Sequence, residues 1–339
     1  MKNITLGKTN ITVPQNAFGA LPIQRVSQKE AVKLLRMAYD GGMTFFDTAR
    51  NYTDSEIKVG EAFDGMRDKV YIATKTGAKD VETFWKDLET SLKNLRTDYI
   101  DIYQLHCVPK CFKPGDGSGL YEALLEAKEK GMIRHIGITA HKIDVAEEIV
   151  KSGLYEILQF PLSYLSSERD IELVKATKEA DMGFLAMKGL SGGLLTNSEA
   201  CMAFMLQYDA LPIWGVQKEE ELKEWLSFFE KEPQMTPEIK AVIEKDRKEL
   251  SGNFCRGCGY CMPCTVGIQI NQAARISQMI RRSPTEFWFS EIWQKEMEKV
   301  DSCIECNACK SRCPYELDIP NLLKKNWEDY KNVLAESKN

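Results

Sequence analysis

The chain has 339 residues, 43% hydrophobic and 28% charged, enough for one large domain with its own core plus a smaller one. Its 45 Lys+Arg against 50 Asp+Glu leave a net charge of −5, with no basic excess to coat nucleic acid. No apolar stretch approaches the roughly 18–20 residues that span a bilayer, and MKNITLGKTN lacks the apolar segment of a signal peptide, so a cytoplasmic enzyme with no membrane partner is expected.

In chain order, NITLGKTNITVP (3–14) predicts a hairpin turning near Thr9-Asn10, placed to plug one end of a larger fold. Eight short apolar, β-rich runs follow: NAFGA (16–20), MTFFDT (43–48), VYIATK (70–75), YIDIYQL (99–105), RHIGIT (134–139), EILQF (156–160), GFLAM (183–187) and LPIW (211–214). Helical patterns lie between them. In 28–41, Ala31, Leu34, Leu35 and Ala38 share one face, Ser27 with Glu30 forms a capping box, and Gly41-Gly42 supplies the stop. Strands joined by crossover helices pair in parallel, and eight such units predict a closed (β/α)8 TIM barrel of the α/β class. A doubly wound nucleotide-binding sheet would carry a Gly-rich turn after its first strand, whereas the turn here is FGALPIQ. Past residue 230, EKEPQMTPE reads as a linker, which sets expected domains of 1–232 and 233–339.

Chemistry in such a barrel gathers where strands end. Asp47, Lys75 and His106 close three consecutive strand candidates, and Tyr52 follows Asp47 on the next loop. Each alone has a structural explanation: a helix cap, a solvated lysine, a packed histidine. Together they make a proton donor. A phenol with an ordinary pKa of about 10 is a poor acid at neutral pH, and a neighbouring ammonium should lower that value. Asp47 would keep Lys75 charged, and His106 could donate to a carbonyl oxygen.

The segments FDTARNYTDSE, YIATKT and YQLHC resemble the aldo-keto reductases, whose catalytic tetrad maps onto Asp47, Tyr52, Lys75 and His106. The resemblance runs from residue 1 to about 230, through IRHIGITAH, LQFPLS and FLAMKGLSGGLL. It implies that Thr139 and Gln159 hold a nicotinamide carboxamide and that Met187, Lys188, Gly189 and Leu190 line an NADP(H) or NAD(H) cofactor. Gly192, Gly193 and Gly215 would give close backbone approach to its phosphates, on the loops where barrels bind phosphate. Met187 stands where many members stack a tyrosine on the nicotinamide, which leaves a flavin as an alternative cofactor.

The chain has 11 cysteines, and eight fall in two runs near its C-terminus. Cys255, Cys258, Cys261 and Cys264 form C-x2-C-x2-C-x2-C; Cys303, Cys306, Cys309 and Cys313 form C-x2-C-x2-C-x3-C-P. The second is the bacterial ferredoxin pattern for a [4Fe–4S] cluster, and three consecutive two-residue gaps argue against zinc. The runs also repeat internally, with Ile268 matching Leu317 and Ile270 matching Ile319. Because the fourth cysteine of each run crosses over in two-cluster ferredoxins, one cluster is expected on Cys255, Cys258, Cys261 and Cys313. The other falls to Cys303, Cys306, Cys309 and Cys264. Ile276, Met279, Ile280, Phe287, Trp288, Phe289 and Trp293 between the runs should pack a small core. Cys107, Cys111 and Cys201 read as free thiols, His135 as structural, and His141 as a lesser candidate for the pocket.

The reading is an aldo-keto reductase-type oxidoreductase acting on a small carbonyl or alcohol, fused to a mainly α, ferredoxin-like domain with two [4Fe–4S] clusters. An external electron carrier is a candidate partner. The alternatives are a flavin-containing reductase fed single electrons by the clusters and a non-catalytic, redox-sensing barrel.

Overall fold

A computed structural model describes residues 1–250, 254–282 and 285–337. The chain divides into two compact units, Met1–Gly189 with Ser198–Lys240, and Leu190–Asn197 with the described part of Ala241–Asn339. The first therefore extends past the linker expected near 232, and the segment 190–197 groups with the second.

In the first unit, β1 (Asn3–Thr5) and β2 (Thr12–Pro14) form the antiparallel hairpin, with Ile4 opposite Val13. Asn10 sits in the left-handed region at φ 60°, which asparagine tolerates because its short side chain bonds locally. Eight strands then close a parallel barrel: β3 (Ala17–Gly19), β4 (Phe45–Asp47), β5 (Tyr71–Thr76), β6 (Ile100–Leu105), β7 (Ile133–Thr139), β8 (Ile157–Pro161), β9 (Gly183–Met187) and β10 (Leu211–Gly215), with β10 pairing back to β3. Each expected run overlaps one of them, to within one residue past an end of the run. Ile4, Leu6, Ile11 and Val13 of the hairpin pack with Phe45, Ile102 and Leu185 of the strands, so the hairpin closes the barrel floor. A closed barrel leaves no edge for a foreign strand to pair with.

The first crossover helix, α1 (Gln28–Asp40), begins as its sequence prescribes. Ser27 Oγ accepts from the Glu30 N–H while the Glu30 carboxylate accepts from the Ser27 N–H, and the buried face is Ala31, Leu34, Leu35 and Ala38. Among the described residues no helix is long and apolar enough to cross a membrane.

The second unit is helical. Its cysteine runs lie on turns between short helices, and Ile319–Glu336 is its longest helix. The matched positions of the repeat are all buried: Ile268, Ile270, Leu317 and Ile319. Tyr330 is fully buried and its hydroxyl donates to the Trp288 carbonyl at 2.6 Å. Of the residues expected to form the core, Ile276, Met279, Ile280 and Trp288 are buried, but Phe287 is 59% exposed. Its ring meets Trp288 and Trp293 edge-on from the outside, so it caps the aromatic cluster.

Candidate active site

The strand register places the expected proton-transfer residues at one end of the barrel. Asp47 is the last residue of β4, Lys75 the penultimate residue of β5, and His106 follows β6 directly. Lys75 Nζ lies 2.7 Å from Asp47 Oδ2 and donates to the Thr48 carbonyl at 2.6 Å, both side chains being buried. The same ammonium is 5.2 Å from the centre of the Tyr52 ring, which meets the His106 ring edge-on at 5.8 Å. All four residues are gathered in one place. Positive φ occurs at Thr53 beside Tyr52, at Cys107 beside His106, and at Lys188 just past β9. Held against its own preference, such backbone is a mark of functional sites.

The electrostatics depart from expectation in one respect. Burial, then the Asp47 carboxylate and Cys107, push the Tyr52 phenol above its ordinary value instead of below it. The reason is desolvation: removing water costs the phenolate more than one nearby ammonium returns. That ammonium is also already matched by Asp47. Burial pushes the Asp47 carboxyl up and the Lys75 ammonium down, and their mutual contact opposes both shifts. His106 is driven down to about 3 by burial and by Lys75 and Lys188, so its ring is neutral at physiological pH.

Behind the ion pair lies a polar layer in which Gln159, expected from the sequence, meets Gln104, which the sequence reading omitted. Gln104 precedes His106 by two residues on β6, hence on the same inward face, and its Nε2 donates 2.9 Å to Gln159 Oε1 on β8. It passes Gly137 of β7, where an added Cβ would stand 2.8 Å from Gln104 Cγ. Both amides flank Asp47 and favour its charged form, although no hydrogen bond of good geometry reaches its Oδ1. A buried glutamine pointing into a barrel at strand period was the available signal. His141, just past β7, is buried beside Lys188 and His106, which join burial in holding its ring neutral. His135 is structural, its Nδ1 lying 2.8 Å from Glu156 Oε1.

The expected cofactor residues separate into groups. Thr139, the last residue of β7, and Gln159, in the middle of β8, are register partners and both are buried. Thr139 Oγ1 accepts from the Cys107 N–H at 2.6 Å, and Gln159 Oε1 accepts from Gln104. Each spends acceptor capacity inside the wall and keeps donor hydrogens, which suits a carboxamide oxygen. Met187 packs against the hydrophobic cluster that also carries the hairpin plug, which accounts for an aliphatic side chain there. Lys188 follows it, half-buried. The glycines have reasons other than phosphate approach. A Cβ at Gly189 would stand 2.5 Å from the Trp214 ring, and one at Gly215 would be 3.0 Å from Pro22. Leu190, Gly192 and Gly193 belong to the second unit, where the Gly192 carbonyl accepts from Arg275 at 2.7 Å.

In the second unit the cysteines mix across the two runs. Burial and the neighbouring Cys255, Cys258 and Cys313 sulfurs push the Cys261 thiol up to about 12. Cys264 lines one cavity with Cys303, Cys306 and Cys309, and Cys261 also borders it. The fourth cysteine of each run thus sits among the first three of the other. Soft thiol donors in two such sets suit iron–sulfur clusters. Among the described residues no three or more Cys, His, Asp or Glu side chains form a group that could hold a single metal ion.

Comparison with known proteins agrees with this architecture. Residues 254–318 match a 4Fe-4S dicluster domain. The aldo-keto reductase YhdN of Bacillus subtilis is 32% identical over 194 residues, covering 53% of this chain and 58% of that protein. Methylglyoxal reductase DkgB of Salmonella typhi is 32% identical over 218 residues, covering 60% of this chain and 76% of the relative. The chain spans about three fifths of the length of YhdN and 66% of that of an L-galactose dehydrogenase from Arabidopsis thaliana. An aldo-keto reductase from Bacillus halodurans in its holo form superposes with a TM-score of 0.64 at 22% identity, over 73% of this chain and 96% of that one. One from Klebsiella pneumoniae in complex with NADPH gives 0.60 at 20%, over 72% and 94%. With residues 10–200 matching its family directly and the strand-end residues in place, the chain belongs to the Aldo/keto reductase family.

Proposed function

We propose that the chain is a nicotinamide-dependent oxidoreductase that reduces a small carbonyl compound, or oxidises the corresponding alcohol, and carries two [4Fe–4S] clusters. The observation that carries the reading is the convergence of the buried Lys75–Asp47 pair on Tyr52 and His106 at the strand ends. NADP(H) or NAD(H), when bound, supplies the hydride to the carbonyl carbon. Tyr52 gives its hydroxyl proton to the carbonyl oxygen as the C–H bond forms. Its raised pKa keeps that proton in place until charge develops on the oxygen. Lys75 then faces the phenolate left behind, and Asp47 holds Lys75 in position. His106, neutral, donates its one N–H to the same oxygen and orients it.

Thr139 and Gln159 are the residues that would hold the carboxamide, with Met187, Lys188, Gly189 and Gly215 around the cofactor. One cluster would be held by Cys255, Cys258, Cys261 and Cys313, the other by Cys264, Cys303, Cys306 and Cys309. An external one-electron carrier would meet this ferredoxin-like part of the chain, residues 233–339. The relatives named as methylglyoxal reductases make methylglyoxal the first carbonyl to try.

The test is Tyr52→Phe, which keeps the ring and removes only the donor. Cofactor binding should persist while turnover falls by about 10²–10⁴, the range for general acid catalysis. Near-full carbonyl reduction by this variant would remove Tyr52 from the mechanism.

A further inference from the structure

Arg275 is 6% exposed, and its guanidinium donates to Gly192 O at 2.7 Å and to Gln272 Oε1 at 3.0 Å. These are neutral oxygens. Among the described residues it has no carboxylate within ion-pair distance. A buried cation is costly unless an opposite charge compensates it. The guanidinium lies against Gly257, where an added Cβ would stand 2.7 Å from Cζ, and Gly257 sits between Cys255 and Cys258. The Gly257 N–H points to Cys255 Sγ at 3.4 Å.

Among the described residues no other arginine is buried, so the other cysteine set has no equivalent. Cys306 is exposed there, and Arg312, which lines the same cavity, is itself exposed and bonded to the Ala308, Met262 and Pro263 carbonyls. Water screens a charge so placed.

Resting on the cluster assignment above, we propose that Arg275 is the counter-charge of the cluster held by Cys255, Cys258, Cys261 and Cys313, and that it raises that cluster's reduction potential selectively. Reduction adds one negative charge to the cluster, and a fixed, desolvated cation beside it favours the reduced form. Gln272 positions the guanidinium, and the absent side chain at Gly257 lets it approach.

The experiment uses the full chain, purified and reconstituted anaerobically, with about eight iron and eight sulfide per chain as the check on the two-cluster reading. Both midpoints are then followed by paramagnetic resonance during a redox titration. Arg275→Gln should lower one midpoint so that its reduced fraction at fixed potential falls tenfold or more, about 59 mV for one electron, with the other midpoint held. Gln272→Glu should do the same with Arg275 in place, because the new carboxylate cancels the charge without changing its shape. That variant decides the matter if Arg275→Gln fails to load its clusters. Arg275→Lys, which keeps the charge, should keep the midpoint. The signal that moves should be the one altered by Cys258→Ser and not by Cys306→Ser. Gln272→Glu leaving both midpoints in place, or moving both alike, overturns the proposal, and so does a shift confined to the Cys306 cluster. Wild-type protein without eight irons would instead refute the cluster reading beneath it.

Discussion

Lys75→Met is the sharpest perturbation of the proposed proton transfer. The ammonium stands 5.2 Å from the Tyr52 ring centre. Taking that distance as the charge separation and an effective dielectric of about 20, it stabilises a phenolate by about 3 kcal/mol. Removing it should therefore cut kcat by up to about 200-fold, the ceiling reached when the opposing Asp47 charge is left out. A second consequence follows from burial: Asp47 loses its partner, and a carboxyl already pushed up by desolvation takes up a proton. Breaking a buried pair from one side costs about 3–5 kcal/mol of stability, so the rate must be read on protein shown by circular dichroism to be folded. The double variant Asp47→Asn/Lys75→Met removes the stranded carboxylate and should recover stability without recovering the rate. The assay is carbonyl-dependent oxidation of NADPH and NADH, beginning with methylglyoxal, with kcat and KM separated. A folded Lys75→Met enzyme within about tenfold of wild-type kcat, that is within 1.4 kcal/mol, would refute the charge argument.

Two further predictions concern pH and electron flow. Burial works against the Glu156 carboxylate, but His135, Lys128 and the Ile136 N–H outweigh it and hold the group at about 2 against an ordinary 4.5. Its folded pKa lies below the unfolded one, so its contribution of about 3 kcal/mol is complete above pH 4.5 and drains away as pH falls toward 2. Thermal melts of wild type and Glu156→Gln should accordingly differ at pH 7 and converge near pH 2; a gap that persists unchanged to the acid end contradicts the assignment. For electron flow, a nicotinamide passes an electron pair as hydride whereas a [4Fe–4S] cluster takes one electron, so NAD(P)H alone should leave the clusters of flavin-free protein oxidised while dithionite reduces them. Rapid bleaching by NAD(P)H in protein shown to lack flavin would count against this, and flavin bands in the visible spectrum would favour the flavin alternative.

Most of the architecture was legible in the residues because it rests on local rules. The strand runs, the capping box at Ser27 and Glu30, and the hairpin at Asn10 depend on neighbours a few positions away, and each is where periodicity and turn chemistry put it. The strand-end placement of Asp47, Lys75 and His106 followed from the same count, since a parallel barrel puts successive strand ends on one face. The cysteine spacing likewise announced its chemistry, and the burial of Ile268, Ile270, Leu317 and Ile319 matches the internal repeat.

What tertiary structure alone decided involves groups far apart in the chain and the water removed from between them. Gln104 reaches Gln159 across 55 positions only because Gly137 leaves the path open. Spacing shows that Lys75 lies near Tyr52, but the direction of the Tyr52 shift depends on how much solvent the closed barrel excludes, a quantity no run of residues contains. Arg275 reads in sequence as one basic residue among 45. Its significance comes from folding that carries it to Gly257 and Gly192 with neutral oxygens for company, where an unscreened charge must find its balance in the cysteines beside it.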